Sequence, residues 1–241
     1  MMKNIVVLAN SIRDDNRCVA GKELILNGNQ YDIGPWIRLS EAATKGGAVN
    51  PNTTKIAGRG YIRPLDIIRV SVESNCNNPD HPEDWWLQAG KPWEYAGSYQ
   101  HHTLQKFVDP ITSLWNDNSR NNRVGAGYVG KMGKKASSLA LIKAPPGWKF
   151  EFWKEIKPDY LTGNPKEKFH RDLKFRFNNT YHEFSVTDPD FMTRHDVWKK
   201  MVMDYPQPLA FVKPEEVYFC LSLTPDLNGY HYKIGACIFE S

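Results

Sequence analysis

The residues whose types and spacing could do chemistry gather in the first forty positions: Asn10, Ser11, Arg17, Cys18, Trp36 and Arg38. Asn10 and Ser11 follow an apolar run at residues 5–9 that breaks abruptly into polar residues, and Arg17 and Cys18 open the next run. They therefore fall at strand ends or loops, where a rigid scaffold most often presents binding groups. An arginine offers paired donors to an anion and a tryptophan offers a stacking face, so Trp36, Arg17 and Arg38 would bind a nucleobase or a phosphate. A structural alternative stays open, in which both arginines tie loops to carbonyls or carboxylates. Cys18 could instead be a thiolate nucleophile, since a nearby cation lowers a thiol pKa. It would need a base such as His81, His101 or His102, and no spacing in the chain sets one beside it.

A second set is basic and aromatic. Lys149, Lys154, Lys157, Lys166, Lys168, Arg171, Lys174 and Arg176 interleave with Trp148, Phe150, Phe169 and Phe175, while Lys131, Lys134 and Lys135 occupy a glycine-rich stretch. Stacked bases over such aromatics are worth about 1–3 kcal/mol each, and the cations would follow a phosphate backbone. The same alternation also describes a half-buried strand with its aromatics in the core and its cations in water. His81 with Glu83 and Asp84 could hold a metal or form an acid–base pair, but no second histidine stands at ligand spacing, so neither a metal nor another cofactor is expected. No phosphate-binding glycine loop, dinucleotide fingerprint, nucleophile elbow or kinase signature is present.

These side chains must be positioned by short elements. Apolar residues make up 41% of the 241 and charged residues 24%, which is enough apolar mass for a folded core in one large or two small domains. The net charge of +4 permits a polyanionic partner without requiring one. No apolar run approaches the length of a membrane span and the N-terminus lacks a signal-peptide h-region, so a cytoplasmic protein without a membrane partner is expected. The cysteines, 18, 76, 220 and 237, lack C-x-x-C spacing and read as free thiols, with Cys220 and Cys237 as small core residues.

Along the chain, residues 5–9, 36–40, 63–72, 137–143, 148–156, 168–177, 181–186, 217–223 and 231–239 read as strands. Helices are expected at 103–115 and 191–203, with a short one at 40–44; in the second of these Val197, Trp198, Met201 and Val202 would form an apolar face. Asn178-Asn179 reads as a hairpin turn. Many short strands with Gly, Pro and Asn punctuation imply a β-dominated architecture, all-β with a few short helices, built of two small β-barrels packed together. Residues 1–143 would form the first and 144–241 the second, with the N-terminal strand free to pack against the C-terminal half.

Leu8-Ala9-Asn10-Ser11, Arg17-Cys18-Val19-Ala20-Gly21, Trp36-Ile37-Arg38, Trp115-Asn116, Val186-Thr187-Asp188-Pro189, Leu221-Ser222-Leu223 and Asn228-Gly229-Tyr230 with Tyr232-Lys233 occur in this order. The ordered set resembles the bacterial dual OB-fold-containing domain family, with Leu39 where that family has proline. The resemblance implies two OB barrels filling the chain and, through the fold, recognition of nucleic acid or a nucleotide-like ligand, single strands favoured. It extends the candidate ligand set to Tyr230 and Lys233, beside Asn10, Ser11, Arg17, Trp36 and Arg38; Lys131, Lys134, Lys135, Lys149, Lys174 and Arg176 are the candidate nucleic-acid contacts. The chain would then be the sensing part of a larger bacterial system, reporting to an effector protein. The alternatives are an enzyme acting on nucleotides or nucleic acid through Asn10, Cys18 and Arg38, and a protein-interaction adaptor.

Overall fold

The structure, a computed structural model, describes residues 1–13, 15–133, 136–159, 162–200, 204–211 and 213–240, those at 45, 198 and 199 through the backbone alone. The first barrel is built from β1 (Met2–Arg13), β2 (Asn16–Asn27) and β3 (Gln30–Ser40). A two-strand ribbon, β4 (Lys55–Ile56) and β5 (Gly60–Tyr61), follows, then β6 (Asp66–Asn75), β7 (Asp84–Leu87) and β8 (Glu94–Ser98). The strand order β1-β2-β3-β7-β6, closed by pairing of β6 back onto β1, makes a five-strand barrel, with β8 added outside β6. Antiparallel pairs dominate and β3–β7 is parallel.

The second unit contains β9 (Arg123–Gly125), β10 (Leu139–Lys143), β11 (Lys149–Pro158), β12 (Pro165–Phe177), β13 (Thr180–Val186), β14 (Gln207–Pro208), β15 (Tyr218–Leu223) and β16 (Tyr230–Phe239), with short helices α1 (Tyr128–Lys131), α2 (Pro189–Arg194) and α3 (Val197–Lys200). Its sheet runs β10-β15-β16-β13-β12-β11-β14, with β9 on β16. Phe150, Phe152, Leu173, Phe175, Phe184, Phe219 and Leu221 fill its interior, and Phe191 and Met192 of α2 pack against them.

Why the apolar runs are continuous is visible in how they divide. Ile5 and Val7 face the first barrel's interior with Val19, Ile37 and Ile68. Val6 and Leu8 face the other way and meet Leu139, Leu141, Cys220 and Cys237 of the second unit. A strand buried on both faces cannot alternate with polar residues. The seam between the barrels is therefore a third apolar core, and Cys220 and Cys237, directly opposed across β15 and β16, lie in it as buried free thiols. Gly21 answers a close approach in the same region: a Cβ there would stand 1.8 Å from the Val6 carbonyl oxygen.

Three local expectations are corrected. The helix expected at 103–115 is a 3-10 helix at His101–Phe107. Asp109 leaves it because its amide donates to the Leu141 carbonyl and its carboxylate takes the Leu141 amide, fixing the chain against β10, and Pro110 disfavours a helical residue before it. The helix at 191–203 is divided into α2 and α3 by Asp196 at φ 50°; residues 201–203, including Met201 and Val202, and the side chain of Trp198 lie outside the description. Residues 41–44 form turns instead of a helix, with the Thr44 hydroxyl donating to the Glu41 carbonyl. The expected strand at 137–143 forms as β10, which pairs along its length with β15. Its Leu139 and Leu141 supply the seam, while Ala140 and Ile142 supply the second core. The Asn178-Asn179 turn forms as expected, both residues at positive φ (46° and 65°), as a two-residue hairpin requires.

Candidate functional site

The chemically best equipped cavity lies at the seam. Its volume is about 170 Å³, and its apolar walls are Ala9, Ala20, Leu39, Leu139, Leu223 and Ala236. Polar groups enter from both barrels: Ser11, Arg13, Cys18, Arg38 and Ser40 from the first, Thr187, Ser222 and Thr224 from the second. The stretches containing Ala9 and Ser11, Cys18 and Ala20, Arg38, Thr187, and Ser222 and Leu223, far apart in sequence, thus converge on one space.

Arg38 is its most strongly held side chain. In the parallel β3–β7 register it stands beside Asp84, to which Nε donates at 2.7 Å. Its Nη2 lies 3.7 Å from Glu83 Oε1, and Nη1 reaches the Leu223 carbonyl at 3.5 Å, linking the two barrels. Burial pulls the guanidinium's pKa down, but Asp84 and Glu83 more than offset this and raise it. The Nη2 atom nevertheless has no hydrogen-bond partner, on a side chain only 8% exposed. The Thr187 hydroxyl oxygen is likewise buried and unpartnered. Burial pushes the Cys18 thiol up despite Arg38 and Arg13, so it is held as the neutral thiol, and no histidine lines the cavity among the described residues.

Behind Arg38 lies a closed polar network. Ser138 Oγ donates to Glu83 Oε1, and His81 Nδ1 pairs with Ser138 Oγ at 2.8 Å. Burial and Arg38 lower His81 to about 2, so it stays neutral, and burial raises Glu83. Ser138, His81 and Glu83 are 0%, 1% and 5% exposed, and none of the three lines the cavity. They brace Arg38. No group of three or more metal-ligating side chains occurs among the described residues, and no helix among them is long and apolar enough to cross a membrane.

The remaining expected ligand residues are dispersed. Asn10 turns away from the cavity and donates from Nδ2 to the Ile62 carbonyl. Arg17 holds a two-way backbone pairing with Val49. Trp36 is 8% exposed, donates from Nε1 to Asp109 and carries Lys22 over its ring, so it lacks a free stacking face. Tyr230 lies under Arg123 at 3.9 Å. Lys233 is 1% exposed, bonded to the Asn121 carbonyl and to His182 Nδ1 at 3.1 Å, and burial lowers it to about 8. Ser11 and Arg38 are the two that reach the cavity. Arg13 and Thr187 also line the cavity; Thr187 belongs to the Val186-Thr187-Asp188-Pro189 stretch, whereas nothing in the local sequence marks Arg13.

The expected nucleic-acid contacts divide similarly. Lys149, Lys174 and Arg176 line one open cleft of about 500 Å³ with Tyr181 on the outer face of β11–β13. The face is mixed in charge, for Lys174 bonds Glu151 at 2.8 Å, and burial together with Glu183 raises its neighbour Asp172 to about 6. Lys131 is exposed at the end of α1, and Lys134 and Lys135 lie outside the described residues.

The Lys233–His182 pair yields a pH prediction. Burial, with Lys233 adding to it, lowers His182 to about 4. The unfolded chain therefore takes up a proton near pH 6.5 that the native state does not accept until about 4. This contribution to stability is full above 6.5 and falls with pH across that window, at up to about 1.4 kcal/mol per unit. Urea unfolding at pH 7, 6 and 5 should show His182→Gln, whose amide oxygen can still accept from Lys233, losing less stability on acidification than the wild type. Equal slopes would refute the assignment.

Two comparisons bear on what the chain is. Ornithine carbamoyltransferase of Pyrobaculum aerophilum is 25% identical over 197 residues, covering 75% of this chain and 62% of the relative, so the chain spans less than two thirds of that protein's length. The model of the dual OB-containing domain matches residues 3–238, which takes in the closed five-strand barrel, the second β-unit and the seam between them. The chain belongs to the dual OB-containing domain family.

Proposed function

We propose that the chain is a recognition module that takes a nucleotide-like ligand into the cavity between its barrels. The observation that carries this reading is the buried Arg38, which lines a largely apolar cavity while its Nη2 donor lacks an acceptor. Small-ligand sites are typically apolar concavities with a few fixed polar groups that set orientation. A buried donor without a partner costs free energy, and a ligand acceptor recovers it. A ring filling the space would also recover packing worth up to about 4 kcal/mol, at ~24 cal/mol per Å³. The test is thermal unfolding with nucleosides, nucleotides and short single-stranded DNA and RNA. A ligand at 100 times its Kd should add about 2.7 kcal/mol and raise Tm by several degrees. No shift with any of them would reject the reading.

A second reading is favoured by the convergence of Lys149, Lys174, Arg176 and Tyr181 on one cleft. A single strand would lay its phosphates along these cations and a base on Tyr181. Its signature is an affinity for single strands that falls steeply with salt and with Lys149→Glu. An affinity insensitive to both would assign polymer binding elsewhere.

A further inference from the structure

Resting on the nucleotide-like reading above, we propose that the seam cavity takes the uncharged heteroaromatic base of its ligand and leaves any phosphate outside, against Arg13.

Charge is the first argument. Arg38 already faces Asp84 at 2.7 Å and Glu83 at 3.7 Å, so its positive charge is compensated where it stands. What it has left to offer is a hydrogen-bond donor. A carbonyl or ring nitrogen satisfies that donor at no electrostatic cost, whereas a phosphate would be brought against two carboxyl groups. The Thr187 hydroxyl, also buried and unpartnered, can accept from a ring N–H or donate to a ring acceptor. A donor and an adaptable hydroxyl suit the polar edge of a base.

Size is the second. An apolar cavity of about 150 Å³ accommodates a benzene ring. One of about 170 Å³ holds a ring system and has no room for the sugar and phosphate as well. The walls at Ala9, Ala20 and Ala236 carry only methyl groups, so they project little into that space.

Arg13 supplies the third. It lines the same cavity from the exposed end of β1, donates from Nη1 to the Gly46 carbonyl at 2.9 Å, and has no ion pair among the described residues. Gly46, at φ 66°, makes room for it: a Cβ there would stand 2.3 Å from Arg13 Nη2. Among the described residues the cavity thus has a charge-compensated arginine inside and one without an ion pair at its exposed end, the order that a base with a phosphate behind it requires.

The experiment is calorimetric titration of the four ribonucleosides, their 5′-monophosphates and inorganic phosphate into the wild type, Thr187→Val and Arg13→Gln. A nucleoside should bind. Thr187→Val should weaken it and its monophosphate alike by about fivefold, the worth of one hydrogen bond. Arg13→Gln should remove only the advantage of the monophosphate over the nucleoside, and inorganic phosphate should not compete. Because Thr187→Val is near-isosteric and removes an unpartnered buried hydroxyl, it should melt no lower than the wild type, which separates lost binding from lost folding. Competition by inorganic phosphate, nucleotide binding without nucleoside binding, or unchanged affinities in Thr187→Val would overturn the base-inward orientation while the nucleotide-like reading survives. An Arg13→Gln variant that keeps the monophosphate advantage would overturn the place of the phosphate. Failure of every nucleoside and nucleotide to bind would overturn both inferences together.

Discussion

Arg38→Met should destabilise the protein by about 3–5 kcal/mol, a large share of the ~5–15 kcal/mol that holds a domain folded. Removing the guanidinium leaves Asp84 and Glu83 without their partner, at 14% and 3% side-chain exposure. Glu83 cannot turn to water, because its backbone carbonyl holds the Arg38 amide at 2.8 Å and its carboxylate receives Ser138. The Leu223 carbonyl on the other barrel also loses its donor. Most of the loss is thus the cost of stranded carboxylates. The triple substitution Arg38→Met, Glu83→Gln, Asp84→Asn should therefore recover much of it, since replacing a whole buried ionic group is far cheaper than breaking it. Urea denaturation of the three proteins decides the matter. A single variant within about 1 kcal/mol of the wild type would mean that Arg38 does not brace the seam. Ligand affinity is therefore separable from folding at Thr187 and Arg13 but not at Arg38, where a lost affinity is also the mark of a lost fold.

The structure makes Arg38 both a brace and a cavity wall, two readings that its sequence context left as alternatives. Strand periodicity could place it at the end of an apolar run, but the acids that hold it, Glu83 and Asp84, come from the start of β7 and the residue before it, reached through a parallel pairing that no local pattern announces. Trp36 shows the same limit from the other side. An aromatic beside an arginine reads equally as a stacking platform or as a core residue, and the deciding contact, Asp109, arrives from a segment expected to be helical. What was legible is what local sequence controls. The paired asparagines at 178 and 179 set a tight hairpin, the alternation from Leu173 to Phe177 put Leu173 and Phe175 inward, and the unbroken apolar run at residues 5–9 marked a strand. The cavity was not legible because it belongs to neither barrel; its walls come from the faces they turn toward each other. Five of the stretches that carried the family resemblance supply those walls, so their order along the chain was visible while their meeting in space was not.

Asp188→Ala should be the other severe substitution, at about 2–4 kcal/mol, through a different mechanism. Asp188 is 2% exposed and ends the strand–helix corner after β13. Its Oδ1 accepts the amides of Asp190 at 3.0 Å and Phe191 at 3.1 Å, capping α2, while Oδ2 accepts the Ile238 amide of β16 at 2.9 Å. One carboxylate thus ties the helix that packs Phe191 and Met192 into the second core to the strand that forms the seam. An alanine leaves three amides unpaired, two of them in fully buried surroundings. Burial raises the carboxyl's pKa against the opposing pull of the Ile238 and Phe191 amides. An asparagine side chain keeps an oxygen for the cap but presents an NH₂ group to the Ile238 amide, so Asp188→Asn should fall between wild type and alanine. Hydrogen exchange gives the sharper readout. In Asp188→Ala the amides of Phe191 and Ile238 should lose protection while those of β6 in the first barrel keep theirs, because the carboxylate's contacts lie wholly in the second unit. Uniform loss across both barrels would show instead that the seam makes them one cooperative unit, and that outcome would make the corner a support of the ligand cavity as well, since Thr187 precedes Asp188 and Ala236 stands two residues before Ile238.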